Sequence, residues 1–424
     1  MFRAWRPGQG TPRSGPAMGA AHRQAMVALD DTGFGTLLSG LLQRSHEVAP
    51  EDWGATLARA AHQVGLDDVT VLLADVQQAR LVPLPGEPGS GARRAVAVDG
   101  TPAGAAYRTV SLRLSERDDR ITMWLPLVDG VERVGVMEVT AHRIDPELLS
   151  RCRALADVTT LALVLKSGFS DDLLRLVRSR PMTTAAELVW AFLPPRTLGT
   201  GEVTSSAVLE PAYEIGGDAF DHSLHDDHLH LTVLDAMGHD LASGLTAAVA
   251  LAGCRAARRA GADLGEIVKT VDETLAAWIP DRLATAVFAD LDVRSGQFAW
   301  VNCGHPPPRL IRARHVVTGA LEREAELPLG LGPDYGGRPR TVHSTRLEPG
   351  DRVLVHTDGV TESRAEGGDD FGERRLTDYV VHATALGDPA PEVLRRLVHA
   401  VLAHRHGRLD DDATVLLAEW HPTR

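Results

Sequence analysis

Lysine is almost absent from this chain. Lys166 and Lys269 are the only two among 44 basic residues, and the rest are arginine. Base is itself outnumbered: 57 Asp and Glu leave a formal net charge of −13 over 424 residues. Phosphate-rich partners select basic faces, so this balance argues against nucleic acid and anionic membranes as partners. Cysteine is also scarce. Cys152, Cys254 and Cys303 are odd in number and far apart, with no C-x-x-C pair. That excludes a disulfide framework and a Cys-type zinc site, and it fits a reducing compartment. No apolar run approaches the roughly 18 residues needed to span a bilayer. Pro7, Gly8, Gly10, Pro12 and Pro16 interrupt the first residues, so no secretory signal is predicted. A Walker loop, a kinase signature and a Gly-x-Ser-x-Gly elbow are all missing. The expectation is a soluble, cytoplasmic protein.

What is present divides into four segments, a number that suits 424 residues. Residues 1–30 are rich in Gly, Pro, Ala and Arg without periodicity and read as a disordered tail. Residues 31–168 read as an α+β domain. Leu37, Leu38, Leu41 and Leu42, then Leu57, Ala60, Ala61 and Val64, recur at helical spacing. Strand-like runs follow at Val69–Leu73, Ala95–Val98, Tyr107–Leu114, Ile121–Leu127 and Val134–Val139, with Asp129-Gly130 as a hairpin turn before the last. A helix is expected from about Asp145 to Leu165. This order resembles a GAF-type sensory domain, which implies a small-molecule ligand or a dimerisation role. Residues 169–196 read as a helical linker. Asp171–Arg178 forms one piece, and a second starts at Thr184 with Glu187 in a capping box and stops at Pro194-Pro195. The apolar residues of this linker suggest packing, including against a second subunit.

Residues 197–424 form the last domain, predicted as mostly β with added helices. Leu229, Leu231 and Val233 alternate with His228, His230 and Thr232. Runs at Ala284–Asp292 and Gln297–Asn302 flank the turn Arg294-Ser295-Gly296, and Val353–His356 and Thr414–Ala418 are further strands. A helix over Leu241–Arg259 is expected to start at an Asp240 cap, to bury Leu245, Val249 and Ala252, and to end in arginines before Gly261.

Four acids stand at strand ends or turns of this domain. Asp218 closes Gly216-Gly217-Asp218, Asp235 ends a strand, Asp358 sits in Thr357-Asp358-Gly359, and Asp411 opens Asp411-Asp412-Ala413-Thr414. Carboxylates that converge repel, and a cation removes that cost; oxygen ligands suit Mg²⁺ or Mn²⁺ rather than Zn²⁺. In order, Gly-Gly-Asp, Asp-x-Met-Gly-His, Asn-Cys-Gly-His-Pro-Pro, Thr-Asp-Gly and Asp-Asp-x-Thr resemble the metal-dependent protein phosphatases of the PPM (phosphatase 2C-like) class, in its bacterial SpoIIE-type branch. The resemblance implies an α-β-β-α sandwich and a serine/threonine phosphatase with two Mn²⁺ or Mg²⁺ ions. Asp218, Asp235, Asp358 and Asp411 would be catalytic metal ligands, with Asp235 bridging and Ala236 giving its backbone carbonyl. A hydroxide bridging the metals would attack phosphorus directly. The implied substrate is a phosphorylated anti-anti-sigma (STAS-type) protein, and the expected assembly is a homodimer regulated by the N-terminal domain.

Two positions depart from that pattern. Ala236 replaces the usual Gly, which a carbonyl ligand tolerates only where the backbone needs no positive φ. Asp240 replaces a second Gly and reads as a helix cap. Ala236 also leaves room for a non-enzymatic alternative, a pseudophosphatase that sequesters a phosphoprotein. His222, His225, His228 and His230 read as a polar hairpin rather than a zinc site, His239 as a candidate general acid, and Asn302, Gly304, His305 and Pro306 as a turn near the site.

Overall fold

The computed structural model describes residues 31–86, 93–214, 216–331, 340–362, 370–405, 409 and 411–422. The tail expected over residues 1–30 lies outside them. The N-terminal unit is built on a six-stranded antiparallel sheet. Its strands run Val96–Ala97, Arg80–Pro83, Asp68–Ala74, Glu132–Ala141, Arg120–Asp129 and Arg113–Arg117 across the sheet. Leu41 and Leu57 from two leading helices and Leu155 from the exit helix Pro146–Ser167 cover one face, meeting Val71 and Met137. The exit helix starts where Asp145 accepts the Leu148 backbone N–H.

A shorter helix, Pro102–Thr109, covers the other face with Ala103, Ala106 and Tyr107 against Leu72 and Trp124. This corrects the strand expected over Tyr107–Leu114. Thr101 caps the helix by accepting from Gly104 N, and Pro102 fits its first turn, so Tyr107 is helical and the strand starts only at Arg113.

The linker residues are not a free stalk. In the helix Asp171–Val177, Leu173 joins the N-terminal core, while Ala186 and Val189 of Thr184–Phe192 join the C-terminal one. The second helix is capped by Thr183 rather than Thr184: the Thr183 hydroxyl accepts from Ala186 N at 3.1 Å. With two adjacent threonines, the sequence pattern misplaces the cap by one residue.

The C-terminal unit has two antiparallel sheets. The first runs His343–Arg346, Gln297–Cys303, Ala284–Asp292, His228–Ala236 and Asp218–His225; the second runs His315–Val316, Arg309–Arg312, Arg352–His356, Ala413–Trp420, Val203–Glu210 and Thr197–Gly199. A shared core joins them, with Phe220, Leu231 and Val233 from the first and Leu209, Val355 and Leu416 from the second. Residues of opposite parity in the second sheet, Leu354, Val415 and Leu417, meet helices Gly372–Ala385 and Ala390–His404. Strands buried on both faces lose the polar-out alternation of a half-exposed sheet. His230 and Thr232 are therefore buried, and His230 Nε2 lies 3.5 Å from Cys254 Sγ on the helix Leu241–Arg259.

That helix has the expected limits and Asp240 cap, but its buried face differs. Ala247, Ala250, Leu251 and Cys254 face the core, while Leu245 is 45% exposed, Val249 half-buried and Ala252 exposed. Small residues let the helix approach the sheet closely, and this puts the larger Leu245 outside. Its C-terminal arginines do more than complement the helix dipole: Arg255 and Arg258 clamp the buried Asp221 carboxylate at 2.6 and 2.8 Å.

Candidate metal centre

Asp218 and Asp235 are register partners on adjacent antiparallel strands, so their side chains share one face. Asp235 has the same parity as Leu231 and Val233, which places it on the face turned to the second sheet. Asp358 follows the second-sheet strand Arg352–His356, and Asp411 precedes the strand Ala413–Trp420. These two strands pair with each other, and their ends meet where the Thr357 backbone N–H donates to Thr414 O at 3.0 Å. The four aspartates thus converge at one end of the seam between the sheets.

Hydrogen bonds cross that seam. Thr357 Oγ1 donates to Asp218 Oδ2 at 2.8 Å and accepts from Thr414 N at 2.9 Å. Asp412, only 4% exposed, accepts on one oxygen from the backbone nitrogens of Gly216, Gly217 and Asp218 at 2.8, 2.7 and 3.2 Å. Thr357 and Asp412 were not singled out from sequence. The signal for Asp412 was the doubled acid, of which only Asp411 was assigned a role.

The glycines have steric causes. A Cβ on Gly217 would stand 2.3 Å from Ala236 O, one on Gly216 2.2 Å from His239 O, and one on Gly359 1.9 Å from Asp412 O. Each lets two backbone segments of the site touch. The positive φ of the 236–239 turn falls on Gly238 at 94°, and Ala236 is not left-handed. The replacement of Gly by Ala is therefore accommodated without strain, which removes the observation that favoured a pseudophosphatase.

The electrostatics match a cluster held against its own repulsion. Burial raises the Asp218 carboxyl well above its ordinary range, and Asp235 and Asp412 add to this. Asp235 is pushed up to about 7, first by burial and then by Asp358, Asp411 and Asp412. Asp358 is raised by burial and by Asp411. Burial also raises Asp412, against the pull of its three backbone N–H donors. Asp218 is buried, Asp235 and Asp358 are half-buried, and Asp411 is exposed. Among the described residues, no three His, Cys, Asp or Glu side chains close into a finished metal shell. The donors nevertheless fit a hard divalent cation: all are oxygens, their mutual repulsion calls for positive charge, and a backbone cradle that a Cβ would fill lies beneath them.

The remaining candidates separate clearly. Asn302 and His305 close a turn, with Asn302 Nδ2 donating to His305 O and His305 N to Asn302 Oδ1, both at 2.8 Å. His305 is buried and pushed down to about 3, so it is neutral. His239 is exposed beside Gly216. Asp240 accepts from Ser243 N at 2.9 Å, as a helix cap does. Of the four clustered histidines, His225 and His228 are exposed at the hairpin end. His222 and His230 are buried, and His222 bonds Ser205 and Pro195 O.

Residues 225–421 match the family described as Stage II sporulation protein E (SpoIIE). Asp235, Ala236, Asp358 and Asp411 fall inside this span, and Asp218 lies just before it. Phosphoserine phosphatase RsbU of Bacillus subtilis (strain 168) is 22% identical over 212 residues, covering 50% of this chain and 61% of its own. Phosphoserine phosphatase RsbP of the same organism is 24% identical over 210 residues, with 48% and 49% covered. The chain thus spans about half to three-fifths of these relatives. The SiaA-PP2C domain of Pseudomonas aeruginosa is 22% identical at a TM-score of 0.48, over 56% of this chain and 94% of that one. The match to the SpoIIE family is thus confined to residues 225–421, just under half of the chain.

Proposed function

We propose that this chain is a metal-dependent protein serine/threonine phosphatase whose C-terminal unit is an α-β-β-α sandwich of the PPM type. The observation that carries the reading is the convergence of Asp218, Asp235, Asp358 and Asp411 at one end of the seam, where burial and mutual repulsion raise three of them. Asp218, Asp235, Asp358 and Asp411, with the Ala236 carbonyl, would hold two Mn²⁺ or Mg²⁺ ions. When bound, such ions supply Lewis-acid chemistry: they neutralise phosphoryl oxygens and make water acidic enough to attack at neutral pH.

The protein's own groups set the conditions for this. Thr357 donates to Asp218 Oδ2 and fixes the orientation of its carboxylate. Asp412 holds the Gly216-Gly217-Asp218 backbone in place. The open side at Asp411 admits a phosphorylated side chain. His305 and His356 are buried and shifted toward the neutral form, so they do not add charge to the cleft.

The substrate in this reading is a phosphoserine or phosphothreonine on a small regulatory protein of the anti-anti-sigma (STAS) type. Two relatives bearing the name phosphoserine phosphatase support that class. The N-terminal unit would act as a GAF-like regulatory domain open to a small-molecule ligand, and the protein as a cytoplasmic homodimer. Among the described residues, no helix is long and apolar enough to cross a membrane. The test is release of inorganic phosphate from a phosphoserine-bearing protein. Turnover is expected with Mn²⁺ and not with EDTA, and absence of turnover on any phosphoprotein or aryl phosphate overturns the reading.

A further inference from the structure

The two units meet along the helix Ala390–His404, and the contact is ionic. Arg395, with a side chain 1% exposed, reaches Asp99 of the N-terminal unit at 2.7 Å and Glu392 of its own helix at 2.8 Å. Arg133 of the N-terminal unit reaches the same Glu392 at 3.1 Å and Gln78 Oε1 at 2.9 Å. Both carboxylates are thereby engaged on each of their oxygens.

Arg108 is left over. Its nearest carboxylate oxygens, on Asp99 and Glu392, stand at 3.8 and 3.9 Å, beyond hydrogen-bond distance. Its Nε is buried and meets no acceptor among the described residues. The Arg108 side chain as a whole is 28% exposed, so it is its other atoms, not the buried Nε, that a ligand oxygen can reach.

Arg108 lines an open cleft of about 510 Å³ between the units, together with Asp99, Tyr379, Arg396, His399 and Ala400. His399 is occupied, since its Nε2 donates to Gln77 O at 2.9 Å and its Nδ1 faces Arg395. Arg396 makes one bond, to Asp388 at 2.7 Å, and stays 40% exposed on the rim. Two guanidinium groups from different units and a phenol therefore line one cleft, beside the Asp99 carboxylate, whose charge Arg395 offsets by donating to both of its oxygens. Donors on several sides suit a tetrahedral oxyanion better than a planar carboxylate, and arginine forks suit phosphate oxygens.

We propose that this cleft binds a phosphate group, either the free ion or part of a small metabolite, between Arg108 of the N-terminal unit and Arg396 and Tyr379 of the C-terminal unit. Occupancy would tie the units together at the helix Ala390–His404. That helix packs Val393, Leu394 and Leu397 against the second sheet near Val415 and Leu417, on the strand that follows Asp411 and Asp412. The cleft is thus placed to carry a signal between the units, and its existence does not depend on the activity proposed above.

The test is calorimetric titration of the EDTA-treated full-length protein with inorganic phosphate and, separately, with a nucleoside monophosphate. Removing metal keeps the aspartate cleft from competing for the anion. Saturable binding is expected, weakened about tenfold or more by Arg108→Gln and by the rim substitution Arg396→Gln, each of which removes charge-assisted hydrogen bonds. Tighter binding of the nucleotide, with the same dependence on Arg108, assigns the cleft to a phosphorylated metabolite; equal binding assigns it to the free ion. Arg108→Gln should lower the Tm in phosphate-free buffer only slightly, because Arg108 makes no hydrogen bond and its two ion contacts, to Asp99 and Glu392, are long and shared with Arg395 and Arg133. No saturable binding, or binding indifferent to both substitutions, overturns the proposal.

Discussion

Asp412 Oδ2 lies 2.7 Å from the Gly217 backbone nitrogen and ties the turn before Asp218 to the turn after Asp411. This bond, with its neighbours from Gly216 and Asp218, joins the two sheets at the site. Asp412→Ala would leave three buried N–H groups without an acceptor. It is expected to cost about 1–3 kcal/mol of stability, read as a lower denaturant midpoint. Asp412→Asn keeps an acceptor oxygen and removes one repelling charge, so it should retain most of that stability. Equal losses in the two variants would contradict the role given to this carboxylate.

Gly217→Ala places a methyl group where Ala236 O already stands, at 2.3 Å, and Gly359→Ala does the same against Asp412 O at 1.9 Å. Each should cost about 1–3 kcal/mol and lower metal affinity together with stability, because the backbone segments must separate. The reverse substitution, Ala236→Gly, should leave activity within about threefold, since that backbone needs no left-handed residue. A large gain in kcat for Ala236→Gly would show that the methyl group obstructs the site after all.

Much of this site was legible in the sequence because its parts are local. Gly-Gly-Asp, Thr-Asp-Gly and Asp-Asp-x-Thr each put an acid beside a small residue at a strand end, and the structure brings all four acids together. Asp412 and Thr357 escaped notice because their roles are long-range. Asp412 acts on a segment 195 residues away, and Thr357 on a carboxylate 139 residues away. The buried face of Leu241–Arg259 was misread because apolar size suggested Leu245, whereas close approach to the sheet selected Ala and Gly. The helix at Tyr107 is hidden in the sequence because the following residues favour a strand, while its start is set several residues earlier by the cap at Thr101. The alternation places His230 on the polar side of a strand, which holds only when that side meets water, and here that side meets the helix Leu241–Arg259.

Buried histidines, His222 and His230 together with His305 and His356, set an acid limit on the fold. Burial pushes His222 and His230 down to about 4 from an ordinary value of 6.5. The unfolded chain takes up these protons near pH 6.5 and the folded chain near pH 4, so stability is present above 6.5 and is lost as pH falls through that window. His230→Gln should flatten the dependence by up to about 1.4 kcal/mol per pH unit. Denaturant titrations between pH 7 and 4, with Mn²⁺ present to neutralise the aspartates, provide the check. An unchanged slope in the variant would show that His230 is not held neutral.

The exit helix Pro146–Ser167 carries Leu161 at 54% and Leu165 at 61% exposure, followed by Phe169 at 72%. Spaced by four residues, they form an apolar stripe suited to a second copy of the chain. Leu161→Glu with Leu165→Glu should convert a dimer to a monomer in light scattering, without lowering the Tm of the monomeric fold. A monomeric wild-type protein at micromolar concentration would contradict this assignment.

The repulsion within the cluster also makes metal and substitution interchangeable for stability. In EDTA, Asp235→Asn should raise the Tm above that of the wild type, because it removes a charge that Asp358, Asp411 and Asp412 repel. Mn²⁺ should raise the wild-type Tm more than that of the variant. A variant less stable than wild type in EDTA would mean that Asp235 is held by attractive contacts instead.

Calorimetric titration of Mn²⁺ into the full-length protein tests the central claim most directly, with Asp235→Asn as the comparison. The account predicts two ions per wild-type chain, and for the variant at most one ion, with a loss of affinity beyond the roughly 10–100-fold that a merely supporting residue would give. No saturable binding to the wild type, or the same isotherm for both proteins, would contradict it.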